Sequence, residues 1–322
     1  MTQNKINFVF GPIQSRRLGR SLGVSLLPFK TCSMDCIYCE CGVTTCLTEE
    51  RGEYSAPLPR VLEALDGRLK ELDGALDYVT FSGVGEPLLH TGVGAILDFV
   101  KTRYPGLKTC ILTNGSALLL PEVRAEAAKA DLVIASLDGS NEEEFRKINR
   151  PVPGLTLEKL VESFIAFRKL MKGRFLLEIF IVPGINDSEA SAERFRLLAE
   201  KIAPDGVEIN ALDRMGAEKW VLPAEREVLE HIGGILSKSC KVEFIAAGAA
   251  SGREEKPPRR LAVLDLTLLA AMGEEQLTAG EIAGKTTLPE REIELHLAEL
   301  IKREFVAIEE KNGTAYYGRI HK

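Results

Sequence analysis

The chain has 322 residues, of which 45% are hydrophobic and 27% charged, and it carries a formal net charge of −6. This length allows two domains, and no uninterrupted run approaches the roughly 20 apolar residues of a membrane-spanning helix. The first residues lack the apolar core and small-residue cleavage site of a secretory signal, so we expect a cytoplasmic protein with no membrane partner.

Basic residues are concentrated at the start of the chain. Residues 1–34 contain no acid, and Asp35 is the first one. A local basic face on an acidic protein suits an anionic substrate such as RNA phosphate, which makes Arg16, Arg17 and Arg20 candidate phosphate contacts. The alternative is that these charges are solvated or pair with acids elsewhere in the chain.

Short apolar runs alternate with longer amphipathic runs from Val24 to about residue 212, a pattern typical of βαβ units and a parallel sheet. Six strands are two short of a closed eight-stranded barrel. The sequence therefore predicts an α/β fold with a partial (β/α)6 barrel or an open sheet, whose ligands lie at the carboxyl ends of the strands. The predicted strands are Val24–Pro28, Tyr78–Ser82, Thr109–Thr113, Leu132–Leu137, Phe175–Val182 and Val207–Ala211, and the predicted helices are Leu58–Leu72, Gly94–Arg103, Glu122–Lys129, Leu157–Met171 and Glu189–Ile202.

A second, smaller domain is predicted to follow the first. Helix Ala224–Ser237 and strand Lys241–Ile245 complete a first domain over residues 1–250, and the charged, proline-bearing segment 251–260 fits a linker. Residues 261–322 have the element order of a winged helix-turn-helix domain. Its predicted elements are helices Leu261–Met272, Thr278–Gly284 and Leu288–Arg303 and a hairpin of Phe305–Glu309 with Thr314–Ile320 around Asn312-Gly313.

Five of the seven cysteines fall within fifteen residues, at positions 32, 36, 39, 41 and 46. A reducing cytosol keeps thiols free, so this cluster indicates metal ligation rather than a disulfide framework. Cys110 and Cys240 stand alone and are expected to fill core positions, because a free cysteine packs as a small hydrophobic residue.

The first three cysteines of the cluster, Cys32, Cys36 and Cys39, have the spacing CX3CX2C. A cubane cluster has four irons, so three thiolates leave one iron open to a small molecule that coordinates through its amino and carboxylate groups. A structural zinc site needs four ligands, and Cys41 or Cys46 could supply the fourth, so zinc stays an alternative. These two cysteines are otherwise ligands of an auxiliary cluster or thiols of a loop beside the site.

The motifs resemble those of the radical S-adenosylmethionine (radical SAM) superfamily over residues 8–215. The family's cluster motif has an aromatic residue before its last cysteine, which is Tyr38 here. Its second motif, GGEP at the end of the second strand, reads GVGEP over residues 83–87, with Val84 in place of the first glycine of the pair. Gly85, Glu86 and Pro87 keep the rest of the pattern, and Gly83 directly before it is a further candidate for cofactor binding.

The resemblance implies an enzyme with two cofactors, a [4Fe–4S] cluster on Cys32, Cys36 and Cys39 and S-adenosylmethionine (SAM). It places Tyr38 near the adenine and the GGEP backbone at the methionine amino group. It further implies that a reductant such as flavodoxin or ferredoxin reduces the cluster. The cluster then cleaves SAM to methionine and a 5′-deoxyadenosyl radical, which abstracts a substrate hydrogen.

Three further strand ends carry polar residues, beginning with Thr113-Asn114-Gly115. The others are Ser136-Leu137-Asp138-Gly139 and Pro183-Gly184-Ile185-Asn186-Asp187. Each alone is typical of an ordinary turn, but their order behind the cysteine motif favours a common site. Asn114 is a candidate SAM contact, and Ser136 and Asp138 have the chemistry to hydrogen-bond ribose hydroxyls.

Several longer segments look like the group of radical SAM proteins related to the wyosine-tRNA synthesis enzymes, which build a tricyclic base in tRNA. They are GPIQSRRLGRSLGVSLLPFKTCSMDCIYC, INRPVPGLTLEKL, VPGIND and INALDR. Those enzymes hold a second cluster on cysteines upstream of the radical SAM motif, and this chain has no cysteine before Cys32. The resemblance therefore implies kinship without the specific wyosine chemistry.

The predicted recognition helix of the C-terminal domain, LPEREIELHLAELIKRE, is rich in glutamate and is a poor surface for DNA. Three hypotheses follow. The first is an enzyme that modifies RNA, most simply a tRNA base. The second is an enzyme that modifies a peptide or protein recruited by the acidic winged helix. The third is a non-enzymatic iron–sulfur transcription sensor, which the SAM motif at Gly85-Glu86-Pro87 disfavours because a sensor does not need it.

Overall fold

A computed structural model describes residues 8–72, 76–214, 216–245, 263–273, 275–286, 288–303, 305–311 and 314–320. The strands are β1 (Val9–Ser15), β2 (Gly19–Val24), β3 (Thr31–Cys32), β4 (Cys46–Leu47), β5 (Tyr78–Phe81), β6 (Lys108–Thr113), β7 (Leu132–Ser136), β8 (Arg174–Ile181), β9 (Gly206–Ala211), β10 (Val242–Phe244), β11 (Val306–Lys311) and β12 (Thr314–Arg319). The helices are α1 (Leu58–Glu71), α2 (Val93–Arg103), α3 (Pro121–Ala127), α4 (Glu142–Asn149), α5 (Leu157–Leu170), α6 (Glu189–Ile202), α7 (Arg226–Leu236), α8 (Val263–Met272), α9 (Ala279–Lys285) and α10 (Glu290–Lys302).

The main sheet has eight strands in the order β1-β2-β5-β6-β7-β8-β9-β10. Strands β2 to β10 of this sheet run parallel, and β1 joins β2 in antiparallel orientation. The predicted α/β fold with a mainly parallel sheet is confirmed. In the described ranges, no helix is both long and apolar enough to cross a bilayer.

The first predicted strand is displaced. The structure ends β2 at Val24, where the sequence predicts a strand to begin, and residues 25–28 form a loop. Leu26 and Leu27 are buried in that loop, so their apolar character reflects packing rather than sheet pairing. Pro28 cannot donate to a strand ladder, which suits the loop.

Helix α4 is an additional element that the periodic pattern does not predict. Its N-cap residue Asn141 accepts a hydrogen bond from the Glu144 amide at 3.0 Å, and three glutamates occupy its first turn, where negative charge complements the helix dipole. The sequence therefore indicates α4 by an N-cap residue followed by acidic residues, and not by hydrophobic periodicity.

The helices cover the outer face of the sheet because each carries one apolar stripe. Helix α1, for example, buries Val61, Leu65 and Leu69 at four-residue spacing. These residues join one core with the outward side chains of the parallel strands, such as Val79 and Val133. The inner face of the sheet is thereby left to line the barrel.

The turn between β1 and β2 closes the inside of this partial barrel. Leu18 packs there with inward side chains of β6, β7 and β8, including Cys110. The neighbouring Arg17 forms ion pairs with Glu178 of β8 and with Glu208 of β9, the latter at 2.7 Å. Cys110 is thus a core residue, as predicted.

Helices α8 to α10 and the antiparallel hairpin of β11 with β12 form a second core at the C-terminal end. Thr278 and Glu281 begin α9 with a reciprocal capping box. Two barrel residues, Phe29 and Val84, belong to this second core. The predicted linker, 251–260, lies outside the described residues, and the winged helix-turn-helix assignment stays a prediction.

Candidate cofactor site

The three motif cysteines lie in the segment after β2, at the carboxyl edge of the sheet, where Cys32 ends the short strand β3. Each sulfur accepts a hydrogen bond from a nitrogen donor. Asn114 Nδ2 donates to Cys32 Sγ at 3.4 Å, and Asn149 Nδ2 donates to Cys36 Sγ at 3.3 Å. Lys30 Nζ donates to Cys39 Sγ at 3.0 Å. Donors directed at sulfur stabilise the thiolate form, which is the form that ligates iron.

The three thiols differ in their readiness to ionise. Burial raises the pKa of Cys32 to about 12 and raises the pKa of Cys36 well above its usual value. A hydrogen bond from the Cys41 thiol, together with the Lys30 ammonium, lowers the pKa of Cys39 to about 5. Cys32 and Cys36 therefore need a bound metal to become thiolates at neutral pH.

The arrangement fits a cubane cluster better than a zinc ion. A zinc ion needs its ligands to converge on one point, and no three His, Cys, Asp or Glu side chains in the described part of the chain do so. A cubane instead meets each thiolate at a different iron. Three half-buried thiols, each accepting a hydrogen bond from a different nitrogen donor, match the second requirement.

Cys41 and Cys46 differ from each other. Cys41 is half-buried, its thiol forms a hydrogen bond with the Cys39 sulfur, and its Sγ lies 3.8 Å from the Gly83 carbonyl oxygen. Cys46 is exposed at the start of β4. The prediction that these residues hold an auxiliary cluster stays untested.

The second motif, Gly83 to Pro87, follows β5 and lies against the cysteine loop. A Cβ atom on Gly83, which has φ +143°, would lie 2.3 Å from Ser25 Oγ, and a Cβ on Gly85 would lie 2.2 Å from the Thr31 carbonyl oxygen. Both glycines are therefore required by close approach. Pro87 begins a short 3-10 turn.

Glu86 is 2% exposed, and its carboxylate accepts three hydrogen bonds. The donors are the Leu88 amide at 3.0 Å, the Thr113 hydroxyl at 2.6 Å and the Asn114 amide at 2.7 Å. Burial raises the pKa of Glu86 to about 7. These contacts tie the second motif to the end of β6, so Glu86 orients the two loops.

Asp138 is equally enclosed. Its carboxylate accepts hydrogen bonds from the Tyr38 hydroxyl at 2.6 Å, from Asn149 Nδ2 at 2.7 Å and from the Phe180 amide at 3.0 Å. The Tyr38 ring stacks on Phe180 with centroids 3.8 Å apart. Burial raises the pKa of Asp138 to about 6. Its oxygens hold the cysteine loop in place. The Ser136 hydroxyl makes no side-chain hydrogen bond within the described ranges, and the ribose contacts expected of Ser136 and Asp138 stay predictions.

The structure adds residues that the sequence did not single out, namely Lys30, Asn149 and Phe180. Asn149 joins Cys36 to Asp138, and Lys30 is a buried ammonium, 3% exposed. Asn186, in a predicted polar strand end, donates to the Asp138 and Phe180 carbonyl oxygens, both at 2.8 Å. The segments INRP and VPGIND contain Asn149 and Asn186, but the sequence does not show which groups these side-chain amides contact.

The three candidate phosphate contacts, Arg16, Arg17 and Arg20, each interact with an acidic residue of the chain. Arg16 pairs with Asp213, and the half-buried Arg17 pairs with both Glu178 and Glu208. Arg20 is exposed, but its backbone bonds to Asp77 directly before β5, which places it at the amino edge of the sheet. Arg17 is thus engaged in ion pairs and Arg20 lies at the amino edge, and the three phosphate contacts stay predictions.

Comparison with known proteins gives a family. A model of the Radical SAM superfamily matches residues 26–195. A UPF0026 protein of Methanocaldococcus jannaschii is 33% identical over 234 residues, which are 72% of each chain. A protein of Brachyspira hyodysenteriae named GTPase Obg is 34% identical over 243 residues, and the match spans 74% of this chain but 35% of that protein.

Two more distant matches are informative. A probable dual-specificity RNA methyltransferase, RlmN 3, of Opitutus terrae is 26% identical over 176 residues, or 52% of this chain and 47% of that protein. The crystal structure of a radical SAM methyltransferase from Sphaerobacter thermophilus has a TM-score of 0.51 at 19% identity, covering 70% of this chain and 66% of that chain. The second match shows a shared fold.

Proposed function

Because the chain belongs to the radical SAM superfamily, whose enzymes use a [4Fe–4S] cluster and SAM, we propose that it modifies a base in RNA, most simply in tRNA. The observation that carries the enzyme class is the set of three half-buried thiols at the carboxyl edge of the sheet, each of which accepts a hydrogen bond from a nitrogen donor. When bound, the cluster and SAM supply reductive cleavage of SAM and hydrogen abstraction from the substrate.

Different residues of this chain would hold the cluster and the separate parts of SAM. Cys32, Cys36 and Cys39 would hold the cluster, and Asn114, Asn149 and Lys30 direct donors at the three sulfurs. The backbone of the second motif would hold the methionine part of SAM, with Glu86 fixing that loop. Asp138 and Phe180 fix the Tyr38 ring on the adenine side, and Ser136 offers an open hydroxyl for the ribose.

The rim of the site supports RNA as the substrate. Trp220, the only tryptophan of the chain, is 55% exposed and stands beside the exposed Lys219. Its segment is fixed to the cysteine loop, because the Glu218 amide donates to the Ile37 carbonyl oxygen at 2.9 Å. An exposed aromatic ring next to a cation is the usual platform for an unstacked base. The kinship with an RNA methyltransferase points the same way.

Binding of bulk tRNA to the full chain at low salt tests this proposal. Replacing Trp220 with Ala is expected to weaken binding about tenfold, because stacking on an aromatic ring contributes about 1–3 kcal/mol per base. Leu222→Ala, at an equally exposed apolar side chain on the same segment, is the matched control and should leave binding unchanged. Equal losses in both variants, or no tRNA retention by the wild type, would contradict the proposal.

Mass analysis of cellular tRNA nucleosides then tests the reaction itself. A strain without the protein should lack one modified nucleoside, and a plasmid copy should restore it while a Cys36→Ala copy does not. Identical nucleoside profiles with and without the protein would reject tRNA as the substrate.

A second candidate function, modification of a peptide or protein, is favoured by the acidic surface of α10. Glu290, Glu294 and Glu299 are exposed on that helix, and a basic peptide would complement them. Retention of a basic peptide in place of tRNA in the same binding assay would favour this candidate.

A further inference from the structure

The loop that carries the second motif is attached to the C-terminal domain through Val84. This side chain is 4% exposed and, with Phe29, belongs to the core that the C-terminal helices build. It also lines a cavity of about 30 Å³ together with Thr267, Thr286 and Leu288 of that domain. This space holds about two water molecules, so the two domains meet closely around Val84.

The backbone of the same loop is bonded to the cysteine loop. The Lys30 amide donates to the Val84 carbonyl oxygen at 2.7 Å, and the Glu86 amide donates to the Thr31 carbonyl oxygen at 3.2 Å. The second motif is therefore held from one side by the residues directly before Cys32. On its other side, Val84 is the residue of loop 83–87 whose side chain belongs to the C-terminal core of the described residues.

We propose that Val84 is a positioning residue through which the C-terminal domain holds loop 83–87 in its SAM-binding conformation. Val84 stands where the family's motif has a glycine, and a glycine has no side chain that could enter the C-terminal core. The departure from the family pattern thus adds a contact between the domains, beside those made by Phe29 and by α8 with β1. Domain docking and SAM binding are then thermodynamically linked, and each strengthens the other by the same factor.

The experiment uses the full chain with its cluster reconstituted under anaerobic conditions. SAM affinity is measured from the change that SAM causes in the electron paramagnetic resonance spectrum of the reduced cluster. Val84→Ala removes two buried methyl groups, which is expected to weaken SAM binding by up to about tenfold. Leu288→Ala, on the other side of the same cavity, should weaken it in the same direction although Leu288 belongs to the C-terminal domain.

Hydrogen exchange of α8 measures docking in the same samples. SAM should slow exchange of α8 in the wild type, and this protection should shrink in both variants. Val84→Ile keeps the apolar contact and should retain wild-type affinity. Val79→Ala, at a fully buried valine of β5 in the core between the sheet and the helices, is the matched control for general destabilisation and should leave SAM affinity within twofold.

Two results would overturn the proposal. One is SAM affinity within twofold of the wild type in both Val84→Ala and Leu288→Ala while α8 exchanges faster, because docking would then be unlinked from SAM. The other is α8 exchange that responds neither to SAM nor to Val84→Ala. Neither measurement involves RNA, so failure of the RNA proposal leaves this test intact.

Discussion

The barrel interior and the carboxyl edge of the sheet stabilise their carboxylates by different interactions. Inside the barrel, Glu178 and Glu208 share the guanidinium of Arg17. At the carboxyl edge, Glu86 and Asp138 accept hydrogen bonds from neutral donors, and burial raises the pKa of Glu86 to about 7 and that of Asp138 to about 6. The carboxylates of the interior are thus stabilised by ion pairs, whereas those of the carboxyl edge are stabilised by hydrogen bonds. The carboxyl edge therefore suits a ligand that carries a positive charge.

The largest expected effect comes from breaking the charge pairing in the interior. Arg17→Met leaves the buried Glu208 and the half-buried Glu178 without their cation, which should lower the free energy of unfolding by about 3–5 kcal/mol. Urea unfolding of the apo-protein measures this. Arg146→Met is the control, because Arg146 pairs with Glu142 on an exposed helix face and should change stability by less than about 1 kcal/mol. Equal effects would show that the interior ion pairs do not differ from surface ones.

The next largest effect concerns the raised pKa of Glu86. Its ordinary value of 4.5 describes the unfolded chain, and the folded value is about 7. Between these values the folded chain keeps a proton that the unfolded chain has released, so its contribution to stability falls as the pH rises through this window.

Glu86→Gln removes that titration. The wild type should lose up to about 3 kcal/mol more stability than the variant between pH 4.5 and 7, as measured by urea unfolding at several pH values. Glu143→Gln, on the solvent side of α4, is the control. Parallel curves for the wild type and Glu86→Gln would contradict the account of the carboxyl edge.

A smaller effect tests the neutral donors directly. Tyr38→Phe removes one of three hydrogen bonds to Asp138 but keeps the ring that stacks on Phe180. We expect a loss of about 2 kcal/mol at pH 8, because the carboxylate is then ionised and buried with fewer donors. Tyr104→Phe, whose hydroxyl bonds to Asp66 near the surface, should cost less. An equal or smaller loss in Tyr38→Phe would show that its hydroxyl does not stabilise the edge.

The smallest effect concerns Arg20, which lies at the amino edge. If RNA meets the carboxyl edge, Arg20→Ala should leave the slope of log affinity against log salt unchanged, whereas Lys219→Ala should reduce it by about 1. Filter binding of tRNA at several salt concentrations gives both slopes. The reverse pattern would place the RNA at the amino edge, near the basic segment that the sequence suggested.

The sequence predicted most of the fold because the parallel strands are continuous apolar runs. β5 to β9 begin and end within about one residue of their predicted bounds. The hairpin of β1 and β2 was missed because its glycines, proline and polar residues lack a strand pattern. Its inward residues, Arg17 and Leu18, close the barrel through contacts with strands more than 90 residues away, which no local pattern contains.

The sequence located the cofactor-site motifs but not the contacts that their side chains make. The motif spacing located the cysteines and the glycines, since both are constrained by local geometry. The partners of Asp138 and Arg17 were not predictable, because burial decides whether a carboxylate faces a ligand or another part of the chain. Val84 was visible only as a departure from the family pattern, and its contact with the C-terminal core gives that departure a physical reason.

Formation of 5′-deoxyadenosine tests the central claim most directly. The full chain is reconstituted with iron and sulfide under anaerobic conditions, loaded with SAM and reduced with dithionite. The wild type should form 5′-deoxyadenosine and methionine, and Cys36→Ala should form neither above background. A wild-type protein that carries a complete cluster and yields no 5′-deoxyadenosine would contradict the assignment of the carboxyl edge as the site of SAM cleavage.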